Sequence, residues 1–319
     1  MGNFLKEAFS TRRAMQHAPH MDFLHEVTPE ELKQLQQVYL EMMKDIIEVC
    51  EAHGICYMAA GGTALGSVRH QGFIPWDDDV DLIMPREDLN RFVALFDETM
   101  GDRYEMTSPN SQYQVESMIT GIYKKNTVKA NFMTYKTSFP QGVHIDIFAI
   151  EAVPENKFLR TVKGVTAIGL QFIAVSSLLY RYRTDEKKQF YTQTPAGKFN
   201  YGLRMTVGFL FSWRSPEKWG NLFDRFVRGN PKSNLWAVPT DIGHYFGHVM
   251  PKDVYYPPVK GPFEDIMINL PHNTDAYLKN QYGDYMVIPP EADREKHLSI
   301  GFCLDVAAAQ ARGENPFVS

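Results

Sequence analysis

The spacing of apolar residues near the start of the chain predicts a long amphipathic helix. From residue 32 to residue 49, apolar side chains recur every three or four positions, as on one face of a helix: Leu32, Leu35, Tyr39, Met42, Met43, Ile46 and Val49. Thr28-Pro29-Glu30-Glu31 has the composition of a capping box with proline at the first helical position. His53-Gly54 is the expected end of this helix.

Shorter apolar runs after this helix predict strands. They lie at 55–60, 80–84 and 143–150, and the segment 112–127 predicts a hairpin or two strands. Pro85 begins a second amphipathic helix. Helices and strands in mixed order indicate an α/β (α+β) fold around a mixed sheet.

A glycine pair follows the first predicted strand. Gly61-Gly62 leads into a short helix opened by Thr63, and the N–H groups of such a turn are suited to phosphate oxygens. Thr63 and Arg69 lie on the same helix, which makes both of them candidate phosphate contacts. An ordinary solvated charge on the helix is the alternative for Arg69.

Four acids within five residues precede the next strand. Asp77, Asp78, Asp79 and Asp81 repel one another, so a fold keeps them ionised only with a bound cation or full solvation. Residues two apart in extended backbone share a face, which points Asp79 and Asp81 the same way and adds Asp77 if the strand begins early. A solvated acidic loop is the alternative, but apolar segments flank the cluster. An EF-hand loop is excluded, because Leu82 stands where that loop needs glycine.

A further acid, Asp146, lies inside the apolar run Val143-His144-Ile145-Asp146-Ile147-Phe148. A carboxylate in such a run is costly to bury unless it pairs with a basic side chain or binds a metal. Taken alone, Asp146 fits either explanation; taken with Asp79 and Asp81, metal binding is favoured. Such acids can hold one or two Mg²⁺ (or Mn²⁺) ions, with phosphate oxygens and water as the remaining ligands.

These motifs resemble those of the LicD family, which includes the fukutin-related proteins. The segment GGTALGSVRHQGFIPWDDDVDLIMPRED resembles the family signature, and His144-Ile145-Asp146-Ile147-Phe148 resembles a second motif. The similarity spans about residues 55–300 and returns near the C-terminus at Phe263-Glu264, at residues 282–286, at Pro289-Pro290 and at His297. After Asp146 the chain departs from the family pattern, with Ala149-Ile150-Glu151 where Pro-Leu-Asp is common.

The resemblance implies a nucleotidyltransferase-type fold that transfers a phospho-alcohol, such as phosphocholine or ribitol phosphate. The donor would be the CDP-activated alcohol, the acceptor a hydroxyl of a cell-surface glycan such as lipopolysaccharide or teichoic acid, and CMP would be released. The resemblance assigns nucleotide phosphates to Gly61 and Gly62, and divalent metal to Asp79, Asp81 and Asp146. Asp146 is alternatively a general base for the acceptor hydroxyl.

Two other functions stay open from the sequence. One is a true nucleotidyltransferase that moves the nucleotide itself to a sugar phosphate, a small molecule or a protein. The other is a non-catalytic member that binds a glycan or a nucleotide. The intact acids disfavour the second, and the long motif with Phe73-Ile74-Pro75-Trp76 disfavours the first.

Charge is distributed unevenly along the 319 residues. The net charge is −5, yet residues 157–218 hold eleven basic and three acidic residues. The same segment has two apolar stretches, 165–180 and 203–213, each shorter than the ~20 residues of a membrane-spanning helix. We expect core helices of an inserted subdomain; a basic amphipathic patch on an anionic membrane is the alternative. Nucleic-acid binding explains the positive charge less well, because the rest of the chain is acidic.

These patterns divide the chain into four expected regions. They are an N-terminal extension (1–27), a nucleotidyltransferase-like core (28–154), a basic, apolar helical insertion (155–235) and a C-terminal family region (236–319). Three cysteines without paired spacing indicate a reducing compartment. The N-terminus has neither a signal-peptide pattern nor a myristoylation pattern. We therefore expect a cytoplasmic enzyme. If the basic segment contacts a membrane, the enzyme would lie at the inner face of the plasma membrane and its acceptor would be lipid-linked.

The C-terminal region is rich in aromatic and histidine residues. Candidates for a cage around a quaternary ammonium donor are Trp236, Tyr245, Tyr255, Tyr256 and Tyr282. Most aromatics at this density pack in a core. His244 and His248 have a metal-type spacing, but the glycines around them disfavour a helix. His297 is expected to be structural.

Overall fold

The computed structural model describes residues 21, 23–229, 232–241, 243–291, 294 and 299–315. The expected N-terminal extension is described only at residues 21 and 23–27, and His297 lies outside the described residues. The helices of the described part are α1 (Pro29–Ala52), α2 (Gly61–His70), α3 (Arg86–Thr99), α4 (Lys157–Arg181), α5 (Asp185–Tyr191), α6 (Pro195–Leu210), α7 (Pro216–Val227), α8 (His244–Gly247), α9 (Lys252–Tyr255), α10 (Thr274–Tyr282) and α11 (Val306–Ala311).

The strands of the described part are β1 (Met58–Ala59), β2 (Asp81–Pro85), β3 (Tyr104–Thr107), β4 (Thr120–Lys124), β5 (Val128–Asn131), β6 (His144–Ala152), β7 (Leu235–Ala237), β8 (Met250–Pro251), β9 (Val259–Phe263), β10 (Ile266–Leu270) and β11 (Ser299–Cys303). The main sheet has the order β1-β2-β6-β4-β3, and β7 and β8 extend it from the end of β6. Only β2 and β6 pair in parallel; the other pairs of this sheet are antiparallel. The mixed α/β architecture is as expected.

Helix α1 begins where the capping box predicted. The Thr28 hydroxyl accepts a hydrogen bond from the Glu31 N–H (3.2 Å), and the Glu31 carboxylate accepts one from the Thr28 N–H (2.8 Å). The helix buries most of the apolar residues whose spacing predicted it, including Leu35, Tyr39 and Ile46. It ends before His53, as predicted. The buried face of this helix packs into the largest apolar core, which also takes side chains from the main sheet, from α3 and from residues 236–278. The C-terminal region thus shares its core with the first half of the chain.

Two strand predictions differ from the structure. The run at 55–60 is a strand only at Met58–Ala59. Residues 112–127 contain one strand, β4, and form neither a hairpin nor two strands. Strand β4 pairs with β3 and β6, whereas β5, which begins at Val128, pairs with β11. Both edges of β4 are already hydrogen-bonded, so β5 has to find its partner elsewhere.

The helical segment lies between two strands that pair with each other. Strand β6 precedes α4, β7 follows α7, and Glu151 pairs with Ala237 across them. Helix α4 packs against α6 and α7. It has 25 residues and a mean hydropathy of 1.6 over its most apolar window, of which 33% is buried. The prediction that this stretch is too short to span a membrane is wrong on length, because the helix extends to both sides of 165–180. Core helices of soluble proteins can have the same length and hydropathy, but they are mostly buried. The division into four regions stays a prediction.

Candidate active site

The parallel pairing of β2 and β6 brings two of the predicted acids together. Asp81 is the register partner of Asp146, and partners on neighbouring strands point to the same face of a sheet. Both carboxylates line one cavity of about 570 Å³, and Asp77 and Asp79 line it as well. The structure therefore gathers all four predicted metal candidates around a single cavity, called here the main cavity.

The fourth acid of the cluster, Asp78, has a different environment. It is buried, and its carboxylate lies 3.2 Å from the Lys129 ammonium. Lys129 also donates to the Tyr39 hydroxyl (3.2 Å) and to the carbonyl oxygen of Asp78. Burial by itself would lower the pKa of Lys129, but Asp78 and Tyr39 raise it above its ordinary value. Asp78 thus anchors the loop in the core while its neighbours face the main cavity.

The glycine pair forms the start of α2 and lets the carboxylates approach the backbone. Gly61 has φ +49°, a left-handed conformation that favours glycine. A Cβ on Gly62 would lie 2.6 Å from a carboxylate oxygen of Asp77, and one on Gly61 would lie 3.4 Å from Asp81. The Gly61 N–H donates to the Tyr277 hydroxyl (3.2 Å). A phosphate contact at Gly61 would therefore require the loss of this bond, whereas Gly62 lines the main cavity beside Asp77.

Thr63 and Arg69, the other predicted phosphate contacts, have structural partners. Thr63 is buried, and its hydroxyl accepts a hydrogen bond from the Asp81 N–H (3.0 Å), which fixes the start of β2. It is absent from the described residues that line the main cavity. Arg69 lines the cavity and donates to the carbonyl oxygen of Tyr285 (2.9 Å). Burial lowers the pKa of Arg69.

The opposite wall of the main cavity comes from the C-terminal region, which sequence reasoning left largely without a role. Its described residues include Thr240, Asp241, His244, Gln281, Tyr282, Asp284, Tyr285 and Arg294. The Arg294 guanidinium lies 4.0 Å from the centre of the Trp76 ring, and Trp76 lines the cavity too. The sequence signals for this wall were the resemblance at residues 282–286 and at Pro289-Pro290 and the candidate His244. No sequence feature marked Asp241 or Arg294.

The Phe263-Glu264 motif supports the loop between α2 and the acids. The Glu264 carboxylate accepts a hydrogen bond from the Phe73 N–H (3.0 Å), and the Glu264 N–H donates to the Gln71 carbonyl (2.8 Å). The rings of Phe73 and Phe263 meet edge to face at 4.8 Å. This motif positions the acidic loop without lining the main cavity in the described part of the chain.

The other histidine and aromatic candidates do not form one site. The His248 ring nitrogen lies 3.1 Å from the Asp241 carboxylate, whereas His244 hydrogen-bonds the Gln171 amide oxygen (2.8 Å). Of the five aromatic residues proposed for an ammonium cage, Tyr282 alone belongs to the described lining of the main cavity, where Trp76, Phe148 and Tyr285 join it. Trp236, Tyr245 and Tyr255 are buried packing residues.

The donor set around the main cavity fits a hard divalent cation. Carboxylate oxygens are the ligands that Mg²⁺ and Mn²⁺ prefer. Across the described residues, no group of three or more His, Cys, Asp or Glu side chains is arranged to hold a metal ion by itself. Mg²⁺ usually takes one or two carboxylates, with substrate phosphates and water completing the octahedron. Asp81 and Asp146, paired in register, fit that pattern.

Comparison with known proteins identifies the family. Residues 54–166 match the LicD/FKTN/FKRP nucleotidyltransferase domain. The lipopolysaccharide cholinephosphotransferase LicD of Haemophilus influenzae is 27% identical over 270 residues, which cover 83% of this chain and 95% of that protein. The ribitol 5-phosphate transferase FKRP of Homo sapiens is 27% identical over 108 residues, 34% of this chain and 19% of that protein. The matched segment contains the glycine pair, the acid cluster and Asp146, and residues 54–166 are thus a domain of the LicD/FKTN/FKRP family.

Proposed function

We propose that this protein is a metal-dependent phosphotransferase that moves a phospho-alcohol from a CDP-activated donor to a hydroxyl of a cell-surface glycan and releases CMP. Phosphocholine is the first candidate for the transferred group, because the relative aligned over most of both chains is a cholinephosphotransferase. Ribitol phosphate is the second, because of the similarity to FKRP. The acceptor class, lipopolysaccharide or teichoic acid, is part of the proposal.

The observation that carries this proposal is the register of β2 against β6. It sets Asp81 beside Asp146 on one face of the sheet, next to the glycine turn and inside one large cavity. In phosphoryl transfer the protein mainly positions the reacting groups and neutralises charge on the phosphate and its leaving group. The acids and the turn are the parts that this chemistry requires.

Each group of the site has a proposed task. Asp79, Asp81 and Asp146 would hold Mg²⁺ or Mn²⁺, with Asp77 as a further ligand candidate; the bound ion supplies positive charge to the diphosphate oxygens. Gly62, beside the Asp77 carboxylate, is the proposed phosphate contact at the start of α2, where the helix dipole favours negative charge. The two arginines of the main cavity, Arg69 and Arg294, add positive charge near the nucleotide. Asp146 either completes the metal site or accepts the proton of the acceptor hydroxyl.

Incubation with CDP-choline, CDP-ribitol and CTP in the presence of Mg²⁺ tests this function. Release of CMP from a CDP-alcohol is the expected result. Pyrophosphate release from CTP, with no CMP from either CDP-alcohol, would instead identify a true nucleotidyltransferase. No product from any of the three would favour a non-catalytic binding role and refute the proposal.

We also propose a cytoplasmic location with peripheral contact at the inner face of the plasma membrane. Support comes from apolar side chains exposed along the first half of α4, which are Phe158, Leu159, Val162, Val165 and Ile168. The segment around them is basic, and anionic lipids attract such segments. Co-sedimentation with phosphatidylserine liposomes at low salt is the test, with Phe158→Ser as the weakened variant. A protein that stays in the supernatant at low salt would refute membrane contact.

A further inference from the structure

We propose that a second cavity, which adjoins the main cavity at Asp146, binds a sugar ring of the acceptor glycan. This inference rests on the proposed function and assigns a place to the acceptor. The cavity has a volume of about 220 Å³ and is called here the side cavity. Its described lining residues come from the 108–119 loop, from the β4–β6 region and from α4, and they include Glu116, Tyr123, Asn131, Thr134, Phe139, Gln171 and Leu178.

The side cavity meets the main cavity at the predicted reaction centre. Asp146 and Thr240 line both cavities. A hydrogen bond lies between the two cavities at another point. It joins His244, which lines the main cavity, to Gln171, which lines the side cavity, at 2.8 Å. A transfer enzyme needs two substrates to reach one phosphorus from opposite sides. Two cavities that share Asp146 place a second binding site next to the one proposed for the donor.

The two cavities differ in their basic side chains, and this difference favours a different ligand in each. The main cavity has two arginines in its described lining, as a diphosphate requires. In the side cavity the basic side chains of the described lining are Lys129 and His144, and the Lys129 ammonium already pairs with Asp78 at 3.2 Å. Amides, hydroxyls and the two carboxylates of Glu116 and Asp146 form the rest of its polar wall, next to the rings of Phe139 and Tyr123. Such a wall suits a neutral, polyhydroxylated ring.

Glu116 provides a specific site for a sugar hydroxyl. One of its carboxylate oxygens, Oε1, accepts hydrogen bonds from Tyr182 and Ser138. The other, Oε2, is buried and has no hydrogen-bond partner among the described residues. A buried acceptor without a donor is unusual in folded proteins. A hydroxyl of a bound sugar would satisfy it.

The transfer balances with the acceptor in this position. The acceptor hydroxyl oxygen forms a bond to the phosphorus that carries the alcohol. The bond from that phosphorus to the bridging oxygen of the CDP group breaks, and CMP leaves with its electron pair. The hydroxyl proton is released to water.

Two variants with matched controls test the site. Leu178→Trp fills the side cavity from α4, and Leu159→Trp is its control, since Leu159 is exposed on the same helix. Glu116→Gln replaces the Oε2 acceptor by a donor, and exposed Glu105→Gln is its control. The probes are methyl glycosides of galactose, glucose, N-acetylglucosamine and N-acetylgalactosamine. Saturation-transfer NMR measures their binding, and CMP release from CDP-choline without glycoside measures donor use.

We expect at least one glycoside to bind the unchanged protein and both controls. Its affinity should fall by about fivefold to tenfold in Glu116→Gln, as for one lost hydrogen bond, and by more in Leu178→Trp. CMP release without glycoside should stay unchanged in all variants. Binding that survives Leu178→Trp, or absence of binding for the whole panel, would overturn the inference. Absence of CMP release by the unchanged protein would instead refute the proposed function, whatever the glycoside result.

Discussion

Removal of the Arg86 guanidinium should strongly destabilise the fold, because Arg86 neutralises two buried carboxylates. Its Nε lies 2.7 Å from Glu151 and its Nη2 2.7 Å from Asp224. Glu151 is 1% exposed and Asp224 is 2% exposed. In Arg86→Met, Asp224 keeps its bonds to Arg228 and Asn110, each at 2.7 Å, whereas Glu151 loses its guanidinium. Removing one partner of a buried ion pair costs about 3–5 kcal/mol. We therefore expect the free energy of unfolding to fall by about that amount.

Urea unfolding followed by circular dichroism measures this loss, and two further variants show its cause. Arg91→Met is the matched control: Arg91 lies on the same helix, its side chain is 53% exposed, and it pairs with Asp88 at 3.1 Å. An exposed pair contributes about 0–1 kcal/mol. The double variant Arg86→Met/Glu151→Leu should regain much of the stability, since no unpaired acid stays behind at position 151. A loss for Arg86→Met as small as that of the control would refute the reasoning.

The loss of unfolding free energy in Arg86→Met should also depend on pH. Burial raises the pKa of Glu151 above its ordinary value, and Arg86 opposes that rise. Without Arg86 the folded-state pKa rises further above that of the unfolded chain. The folded protein then binds a proton that the unfolded chain does not hold, so its stability increases as the pH falls through the folded-state pKa. The stability difference between the unchanged protein and Arg86→Met should therefore be smaller at about pH 5 than at about pH 8. A difference that grows on acidification would contradict this account.

Four further substitutions test the site and the packing of two helical glycines. Asp79→Ala and Asp81→Ala should each lower CMP release by at least about 10²-fold while the circular dichroism spectrum stays unchanged, because each removes a charged ligand rather than a packing group; full activity with Mg²⁺ would overturn the metal assignment. Gly66→Ala should destabilise by about 1–3 kcal/mol, because the new Cβ would lie 2.4 Å from the carbonyl oxygen of Gly72. Gly169→Ala has no atom within 4 Å of the new Cβ and should stabilise its helix by up to about 1 kcal/mol; equal unfolding midpoints for the two glycine variants would argue against this packing.

Short-range patterns predicted several elements correctly. The spacing of apolar residues and the Thr28 box located α1, and the apolar run around Asp146 located β6. Alternation within the acid cluster predicted that Asp79 and Asp81 would face one way, and both line the main cavity. These features depend on backbone geometry over a few residues. The departure from the family pattern at Glu151 had no explanation in sequence, because its partner Arg86 lies on a different element.

The sequence by itself was enough to propose which residues carry the chemistry, namely the glycine turn, the acid cluster and Asp146, and to show their resemblance to one family. Only the tertiary structure decided how they meet. The parallel pairing of β2 with β6, the wall formed by residues 240–294 and the side cavity against α4 depend on contacts between distant parts of the chain. The hydrogen bond from Gly61 to Tyr277 joins residues 216 positions apart. Local spacing encodes the conformation of a segment, but the partner of that segment is selected by packing over the whole core.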